Sequence, residues 1–248
     1  MMQSTFSSQP TPAHLAIIMD GNGRWAAARA WPRARGHLAG IAAVRRVVEA
    51  APRLGIATLT LYVFSADNWR RPAPEVHAIF ELLRAYLESE RGPLARAGVR
   101  CSLIGRRDRL SAALLDAVAA AESATRAGDR LWLRLAVDYS GRDDIARAAA
   151  AAASRWAPNV APNRDLMARL IASSLEREPG PVDLLIRTGA ERRLSDFLLW
   201  ECAYAELLFT RTLWPDFGRP HLRRALAAFA RRQRRFGALP EAASEQTA

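Results

Sequence analysis

Lysine is absent from this chain of 248 residues, so all 36 of its basic residues are arginine. A chain without lysine cannot form a Schiff base, use a lysine as general base or build a P-loop around a lysine. Arginine still suits phosphate and carboxylate ligands, because its planar guanidinium donates paired hydrogen bonds. The formal net charge of +11 is therefore compatible with an anionic ligand, although codon bias explains most surface arginines equally well.

Cysteine and histidine are also scarce. The two cysteines, Cys101 and Cys202, share no metal-binding or redox spacing, which predicts reduced thiols in the core of a cytoplasmic protein. The four histidines form no cluster, which argues against a histidine metal site. No hydrophobic run reaches the length of a membrane span, and the first thirteen residues lack the apolar core of a signal peptide.

Strand-like and helix-like segments alternate along the chain. The predicted strands are 14–19, 57–64, 99–105, 131–139, 182–188 and 204–210, and the predicted helices are 36–55, 74–98, 110–128, 141–157, 164–176 and 221–237. Such alternation is typical of a parallel sheet flanked by helices. The sequence therefore predicts a single α/β domain with a mainly parallel central β-sheet over residues 14–237, between flexible tails at 1–13 and 238–248.

Polar residues follow four of the predicted strands: Asp20; Ser65, Asp67, Asn68, Trp69 and Arg71; Asp138, Tyr139 and Arg142; and Arg187, Arg193 and Ser195. Ligands of such sheets bind beyond the carboxyl ends of the strands, so we expect these sets to meet at one cleft. Polar residues that merely begin loops would explain one or two sets. That interpretation explains poorly why arginine recurs with aromatics such as Trp25 and Trp69.

The stretch DGNGRW, residues 20–25, indicates the ligand of this cleft. Gly21 and Gly23 allow a sharp turn and a close approach of the backbone to a ligand. A helix that begins beside them would favour a phosphate or diphosphate. Because Asp20 would repel a bare anion, a divalent cation that bridges the carboxylate to the phosphate completes the site, and Mg²⁺ commonly does so. The residues predict a magnesium-dependent diphosphate site.

Five separated blocks of the sequence resemble one family. The blocks are HLAIIMDGNGRWA, RARGHLAG, LTLYVFSADNWRRP, LIRTGAERRLSDFLLWECAYAELLFT and LWPDF. They run from about His14 to Gly237, in the family's order and with similar spacing. On these blocks the chain resembles the cis-prenyltransferases, the family that includes undecaprenyl diphosphate synthase.

The resemblance implies a homodimeric, Mg²⁺-dependent transferase. Its relatives condense isopentenyl diphosphate with an allylic diphosphate such as farnesyl diphosphate and release diphosphate as a new cis double bond forms. The growing chain would enter a hydrophobic tunnel between the sheet and two helices, with Val63, Phe80, Leu83, Tyr86 and Leu87 as candidate wall residues. Neither the length of the product nor the preferred starter follows from the sequence.

Roles are carried over by motif. Asp20 and Asn68 would be catalytic, and Asp20 and Glu206 would hold the metal. The substrate-binding residues would be Gly21, Asn22, Gly23, Arg24, Trp25, Arg33, His37, Ser65, Asp67, Trp69, Arg71, Arg187, Arg193 and Ser195. A neutral amide is a poor base, so we expect Asn68 to position groups while released diphosphate or water takes the proton.

Several of these residues also have a plain structural interpretation. Asp20 or His37 could cap a helix. Trp25 and Trp69 could be core residues, because aromatics pack wherever apolar area needs filling. Glu206 could be an exposed strand residue.

The chain departs from the usual pattern of the family at several positions. Ala190 adds a methyl group where we expect the backbone to require a positive φ. Asp196 replaces the usual asparagine and adds a negative charge beside Ser195. DYSGR (138–142) replaces the usual Asn-Tyr-Gly-Gly-Arg, so that Ser140 stands for a glycine. Asp67 replaces the usual glutamate, and GRR (105–107) replaces the usual Gly-Asp. Because the charged catalytic positions survive, we expect an active enzyme.

Three other functions are weighed against this one. A short-chain synthase that supplies specialised terpenoids would share the fold and the motifs. A non-catalytic partner subunit typically lacks the catalytic aspartate, which is present here. Nucleic-acid binding would use the net charge, but no nucleic-acid motif is present. The apolar face of the final helix predicts packing, and its arginines predict either a solvated face or transient contact with an acidic membrane.

Overall fold

A computed structural model describes residues 11–154 and 180–232, together with Asp165 and Arg169. The strands are β1 (His14–Ile18), β2 (Thr58–Tyr62), β3 (Val99–Ile104), β4 (Leu131–Ala136), β5 (Leu184–Arg187) and β6 (Glu206–Phe209). The helices in this part of the chain are α1 (Asn22–Ala27), α2 (Arg33–Arg53), α3 (Ala73–Arg96), α4 (Ala112–Ala124), α5 (Gly141–Ser154) and α6 (Arg219–Ala230). Two 3₁₀ turns cover Ala66–Arg70 and Trp214–Asp216.

All six strands run parallel in one sheet, in the order β3-β4-β2-β1-β5-β6. The register pairs Ile18 with both Tyr62 and Arg187, and Tyr62 with Ala136. The carboxyl ends of four strands therefore lie side by side at one edge of the sheet. The predicted α/β fold with a parallel central sheet is confirmed.

Both faces of the sheet are covered, which explains why the central strands are buried along nearly their whole length. Leu15 and Ile17 point into the larger core, which α2, α3, α4 and α6 complete. Their neighbours Ala16 and Ile18 point to the opposite face, where the segment around Phe197 covers them. The alternation follows from the two-residue period of a strand.

The core also holds the two cysteines, both as free thiols. Burial raises the pKa of each thiol to about 12, so neither sulfur is a thiolate at neutral pH. The predicted role as reduced core residues is confirmed. Within the described residues, no helix combines the length and the apolar character needed to cross a bilayer.

The predicted elements differ from the observed ones mainly at their ends. The fourth strand stops at Ala136, before the predicted end at 139, because Asp138 has a φ of 48° and leaves the extended conformation. Helix α1 begins at Asn22, beside Gly21 and Gly23 as expected. Its end and both 3₁₀ turns were not predicted, since elements this short show no hydrophobic period. The predicted helix 164–176 lies outside the described residues except for Asp165 and Arg169, as do residues 1–10 and the whole predicted tail 238–248.

Candidate functional site

A polar cleft of about 460 Å³ opens at the carboxyl ends of β1, β2 and β5. Fourteen of the predicted site residues line it: Asp20, Gly21, Asn22, Gly23, Arg24, Arg33, His37, Ser65, Asp67, Asn68, Arg71, Arg187, Arg193 and Ser195. Among the described residues, this lining contains five arginines but only two carboxylates, so its positive charges outnumber its negative ones. The local charge therefore favours a polyanion.

Asp20 lies at the centre of the cleft, directly after β1. Its backbone is fixed by Thr188, whose hydroxyl accepts from Asp20 N at 2.9 Å and donates to Asp20 O at 2.7 Å. Arg24 donates to Oδ1 of the carboxylate at 3.0 Å, and Arg187 donates to Oδ2 at 2.9 Å. The side chain is 27% exposed. It is thus held from two sides and still reaches the cleft.

The turn after Asp20 presents backbone amides to the cleft. Gly21 has a φ of 112°, and a Cβ there would lie 2.8 Å from the side chain of Leu213, so the position needs glycine. Helix α1 starts at the next residue, and no side chain of the described residues caps it. The first amides of a helix lack intrahelical acceptors, so those of Asn22, Gly23 and Arg24 are available to an anion.

Arg187, the last residue of β5, joins the two sides of the cleft. It is 5% exposed. Nη2 binds Asp20, while Nη1 donates to Ser195 Oγ and to the carbonyl of Arg193, each at 2.7 Å. Arg193 itself is 62% exposed and pairs with Glu191 at 2.6 Å. The turn after β5 therefore offers one fixed guanidinium, one free to move and a hydroxyl.

The segment after β2 is a compact 3₁₀ turn with its own capping box. Ser65 N donates to Asn68 Oδ1 at 3.1 Å, and Asp67 N donates to Ser65 Oγ at 3.2 Å. Because the amide oxygen of Asn68 is engaged in this bond, its NH₂ group remains for a ligand. Asp67 is 72% exposed. This geometry agrees with a positioning role for Asn68.

Glu75 draws three basic residues of the cleft together. Its Oε1 lies 3.4 Å from Arg33, 3.4 Å from His37 and 3.2 Å from Arg71. Burial lowers the pKa of His37, while Glu75 partly opposes that shift. His37 is therefore neutral at pH 7. Glu75 was not predicted as a site residue. Its position in the first turn of α3, close in sequence to Arg70 and Arg71, could have indicated that it pairs with basic residues of the cleft.

Trp25, Trp69 and Glu206 are not brought into this cleft. Trp25 donates from Nε1 to Asp216 at 2.7 Å. Trp69 packs on Phe64 and Phe80 with ring centroids 5.5 Å and 5.3 Å apart. Trp69 also packs against the core, whereas Trp25 is only half-buried. The predicted role of the two tryptophans in substrate binding stays a prediction.

Glu206 begins β6 and aligns with Leu184, the first residue of β5. It therefore lies toward the opposite end of the strands from Asp20, and its carboxylate pairs with Arg232. Among the described residues, no cluster of three or more histidine, cysteine, aspartate or glutamate side chains is arranged to hold a metal. Within one chain, the structure does not pair Glu206 with Asp20.

An apolar cavity of about 100 Å³ continues from the cleft between the sheet and helices α2 and α3. It shares Met19, Asn22, His37, Tyr62, Val63 and Ile79 with the cleft. Of the predicted tunnel residues, Val63, Leu83 and Tyr86 line it. Phe80 instead packs on Phe64 and Trp69, and Leu87 lies in the core.

Three buried polar atoms beside the cleft have no hydrogen-bond partner among the described residues. They are Asn22 Oδ1, His37 Nε2 and Arg187 Nε. Although His37 Nε2 lies 3.4 Å from Glu75, the two atoms are not aligned for a hydrogen bond. Buried polar groups are nearly always paired, so these atoms are candidates to meet a ligand.

A sequence model described as "Putative undecaprenyl diphosphate synthase" matches residues 18–237 of this chain. The chain belongs to this prenyltransferase family. "Isoprenyl transferase 1" of Bradyrhizobium diazoefficiens is 54% identical over 96% of this chain and 94% of its own length.

Two further relatives extend the comparison. A protein of Xanthomonas oryzae named ditrans,polycis-undecaprenyl-diphosphate synthase, (2E,6E)-farnesyl-diphosphate specific, is 47% identical over 91% of this chain and 88% of its own. The crystal structure of lavandulyl diphosphate synthase from Lavandula x intermedia, in complex with dimethylallyl diphosphate, superposes with a TM-score of 0.85 at 34% identity, covering 92% of this chain and 98% of that one. The predicted family is confirmed.

One network of side-chain hydrogen bonds beside the cleft was not predicted from the sequence. Arg109 donates to both carboxylate oxygens of the buried Asp138, to Oδ2 at 2.7 Å. Asp138 Oδ1 accepts in turn from Trp69 Nε1 at 2.9 Å. This network fixes the turn that carries Ser65 and Asn68. Arg109 lies far from the other motifs in sequence, so only the fold connects it to them.

Proposed function

We propose that this chain is a cis-prenyltransferase that condenses isopentenyl diphosphate with an allylic diphosphate, with farnesyl diphosphate as the preferred starter. The product would be a cis-polyprenyl diphosphate. The observation that carries the proposal is the position of Arg187, which binds Asp20 on one side and Ser195 on the other. It places two anion-binding halves next to one carboxylate, as a reaction between two diphosphates requires.

The half after β1 would hold the allylic diphosphate. Amides at the start of α1, together with Arg24 and Arg33, would donate to its oxygens. His37 is neutral at pH 7 and keeps a buried ring nitrogen without a partner, so it can donate a hydrogen bond without adding charge. When the C1–O bond breaks, its electron pair leaves with diphosphate, and these donors stabilise the charge that develops.

The half after β5 would hold isopentenyl diphosphate. Arg187, Arg193 and Ser195 offer two guanidinium groups and a hydroxyl to its diphosphate. The terminal double bond then attacks the allylic carbon, and loss of a proton from the adjacent carbon forms the new double bond. We assign this proton to released diphosphate or water, with Asn68 orienting the reacting groups through its free NH₂ group.

The donor set of the cleft fits Mg²⁺. This ion is usually bound by one or two carboxylates together with substrate phosphates, and Asp20 supplies one carboxylate that reaches the cleft. Asp20 would hold the ion with the oxygens of the substrate, while the exposed Arg24 would turn from the carboxylate to a diphosphate and Arg187 would stay in place between the two halves. The ion would supply positive charge that offsets the charge on the leaving diphosphate. A second ligand role for Glu206 stays a prediction.

The apolar cavity between α2 and α3 is where we propose that the prenyl tail lies. Its walls meet the cleft at Val63 and Ile79, so a tail that enters there keeps its diphosphate beside Asp20. Val63, Leu83 and Tyr86 would then limit the length of the product. The alternative of a partner subunit is not favoured, because Asp20, Arg24, Arg187 and Ser195 are all present and share one cleft.

We further propose that the enzyme acts as a cytoplasmic homodimer with peripheral contact to the membrane that receives its product. The edge strand β6 and the segment before it expose Trp200, Tyr204 and Leu207, which supports an interface between two copies at this edge. The size of the protein by light scattering, and its sedimentation with anionic vesicles, would test these two statements.

The test of the reaction is a product assay. Purified protein receives labelled isopentenyl diphosphate, Mg²⁺ and, in separate tubes, dimethylallyl, geranyl or farnesyl diphosphate, with Asp20→Ala as the matched inactive variant. We expect a long cis-polyprenyl product from farnesyl diphosphate and loss of turnover by at least about 1,000-fold in the variant, as for a group central to charge stabilisation. Equal yields from the wild type and Asp20→Ala would overturn the proposal. A product that stops after one or two additions would instead identify a short-chain synthase.

A further inference from the structure

Two residues that differ from the family's usual pattern, Ser140 and Asp196, are in direct contact. Ser140 Oγ donates to Asp196 Oδ2 at 2.5 Å. The other carboxylate oxygen, Oδ1, accepts from the backbone N–H of Arg142 at 3.0 Å, and Gly141 N donates to the carbonyl of Asp196 at 2.8 Å. Three hydrogen bonds therefore join the turn after β5 to the start of α5.

The carboxylate of Asp196 does not line the cleft and is directed into its hydrogen bonds with Ser140 and Arg142. It faces the N-terminus of α5, a helix of 14 residues, where a negative charge is stabilised by the helix dipole. Ser140 reinforces the same helix end, since its hydroxyl also accepts from Asp143 N at 3.1 Å. These hydrogen bonds draw the carboxylate toward α5 and not toward a diphosphate bound at Ser195.

The turn that Asp196 holds is strained. Ser195, Asp196 and Leu198 have φ values of 49°, 64° and 45°, a left-handed region that is unfavourable for residues with a Cβ. Such a turn persists only where its surroundings hold it. One support is Tyr62, whose hydroxyl lies 3.2 Å from the carbonyls of both Ser195 and Tyr139. Asp196 supplies the support on the other side.

We infer that Asp196 and Ser140 form a positioning pair that holds Ser195 against Arg187 for binding of isopentenyl diphosphate. This inference rests on the proposed function of the cleft. Asp196 acts through the backbone of the turn, which it anchors to α5, and Ser195 Oγ then lies 2.7 Å from Arg187 Nη1. Without the anchor, the turn can leave its left-handed conformation and Ser195 loses its place.

The test separates the two substrates. In Asp196→Ala we expect the KM for isopentenyl diphosphate to rise about tenfold, whereas kcat and the KM for the allylic diphosphate stay within about twofold, because the other half of the cleft is untouched. Asp196→Asn should stay within about twofold throughout, since an amide can accept from Arg142 N and donate to Ser140. Asp143→Ala is the matched control, because it removes the same charge from the first turn of α5 without touching the 195–198 turn.

Ser140 completes the test. Ser140→Ala should raise the same KM about threefold, and the double variant with Asp196→Ala should be no worse than Asp196→Ala alone, because the two side chains act through one contact. If Asp196→Ala proves unstable, the contrast between Ser140→Ala and Asp196→Asn still decides. A rise in both KM values alike, additive effects, or an unchanged KM for isopentenyl diphosphate would overturn the assignment.

If the proposed reaction itself is wrong, neither the wild type nor Asp143→Ala will show turnover, which distinguishes this outcome from failure of the positioning pair. Calorimetric titration measures the dissociation constant of isopentenyl diphosphate and so tests the positioning pair without turnover. A dissociation constant in Asp196→Ala that equals that of Asp143→Ala would again overturn the pair.

Discussion

The turn after β1 and the turn after β5 lie on opposite sides of Arg187, and they keep their shapes by different means. The first uses glycine, since Gly21 adopts a φ of 112° without a Cβ. The second places Ala190, Ser195, Asp196 and Leu198 at positive φ and relies on side chains from elsewhere to hold them. A glycine turn is encoded locally, whereas a turn of residues with a Cβ depends on the finished fold.

The turn after β2 has a local capping box but also depends on distant residues, because Trp69 is held by Asp138 and Asp138 by Arg109. The side chain of Asp138 is fully buried. Arg109→Ala would leave this carboxylate buried without a counter-charge, with only the hydrogen bond from Trp69, so we expect the free energy of unfolding to fall by about 3 kcal/mol. Denaturant titration measures this change. Arg106→Ala, which breaks the exposed pair with Asp108 in the same loop, should lower the free energy of unfolding far less, because solvent screens exposed ion pairs. Similar losses in both variants would contradict the network.

Gly189 belongs to the turn after β5 and lies close to Asp20 and Arg24, in the turn after β1 and at the start of α1. It has a φ of 80°, and an added Cβ would lie 2.6 Å from Arg24 Nη2 and 3.0 Å from Asp20 O. We expect Gly189→Ala to lower kcat/KM about 100-fold, because displacement of catalytic groups by about 1 Å has effects of this size. Steady-state kinetics provides the measurement.

Ala190→Gly, at the next position, is the matched control, because it removes a Cβ from a residue at positive φ where Gly189→Ala adds one. Ala190 has a φ of 71°, so glycine there should relieve strain and leave kcat/KM within about twofold. A Gly189→Ala enzyme with wild-type kinetics would show that the turn tolerates movement.

His14, at the start of β1, gives the stability a pH dependence that does not involve the cleft. Burial, aided by Arg134, lowers the pKa of His14 to about 4. Its unfolded pKa is about 6.5, so between these values the unfolded state binds more protons. Stability is therefore complete above pH 6.5 and falls as the pH drops toward 4, by about 2 kcal/mol between pH 6.5 and 5. Denaturant titrations at both pH values should show a smaller fall for His14→Gln. An identical fall in the two proteins would exclude His14 as the source.

The sequence predicted the fold and the first half of the site well, because both rest on local signals. Alternating apolar segments identified the six strands, and DGNGRW identified the turn after β1. The sequence also indicated that Ala190 needs a positive φ, which the structure confirms.

What the sequence missed depends on contacts between distant residues. Glu75 meets Arg33 and His37 from another helix, and Arg109 reaches Asp138 across the sheet edge. Trp25 and Trp69 were expected to line the cleft, but their ring nitrogens bind Asp216 and Asp138 instead. The departures at 140 and 196 looked like two separate defects, and only the fold shows that they form one contact.

The central claim, that two separate halves of one cleft bind two diphosphates, is tested most directly by a crossed pair of variants. Arg24→Ala and Arg193→Ala are assayed with farnesyl diphosphate and isopentenyl diphosphate, each varied at saturation of the other. We expect Arg24→Ala to raise the KM for the allylic diphosphate at least about tenfold and Arg193→Ala to raise the KM for isopentenyl diphosphate by a similar factor, as expected for loss of a charged hydrogen bond. Variants that both raise the same constant, or both constants equally, would contradict the account.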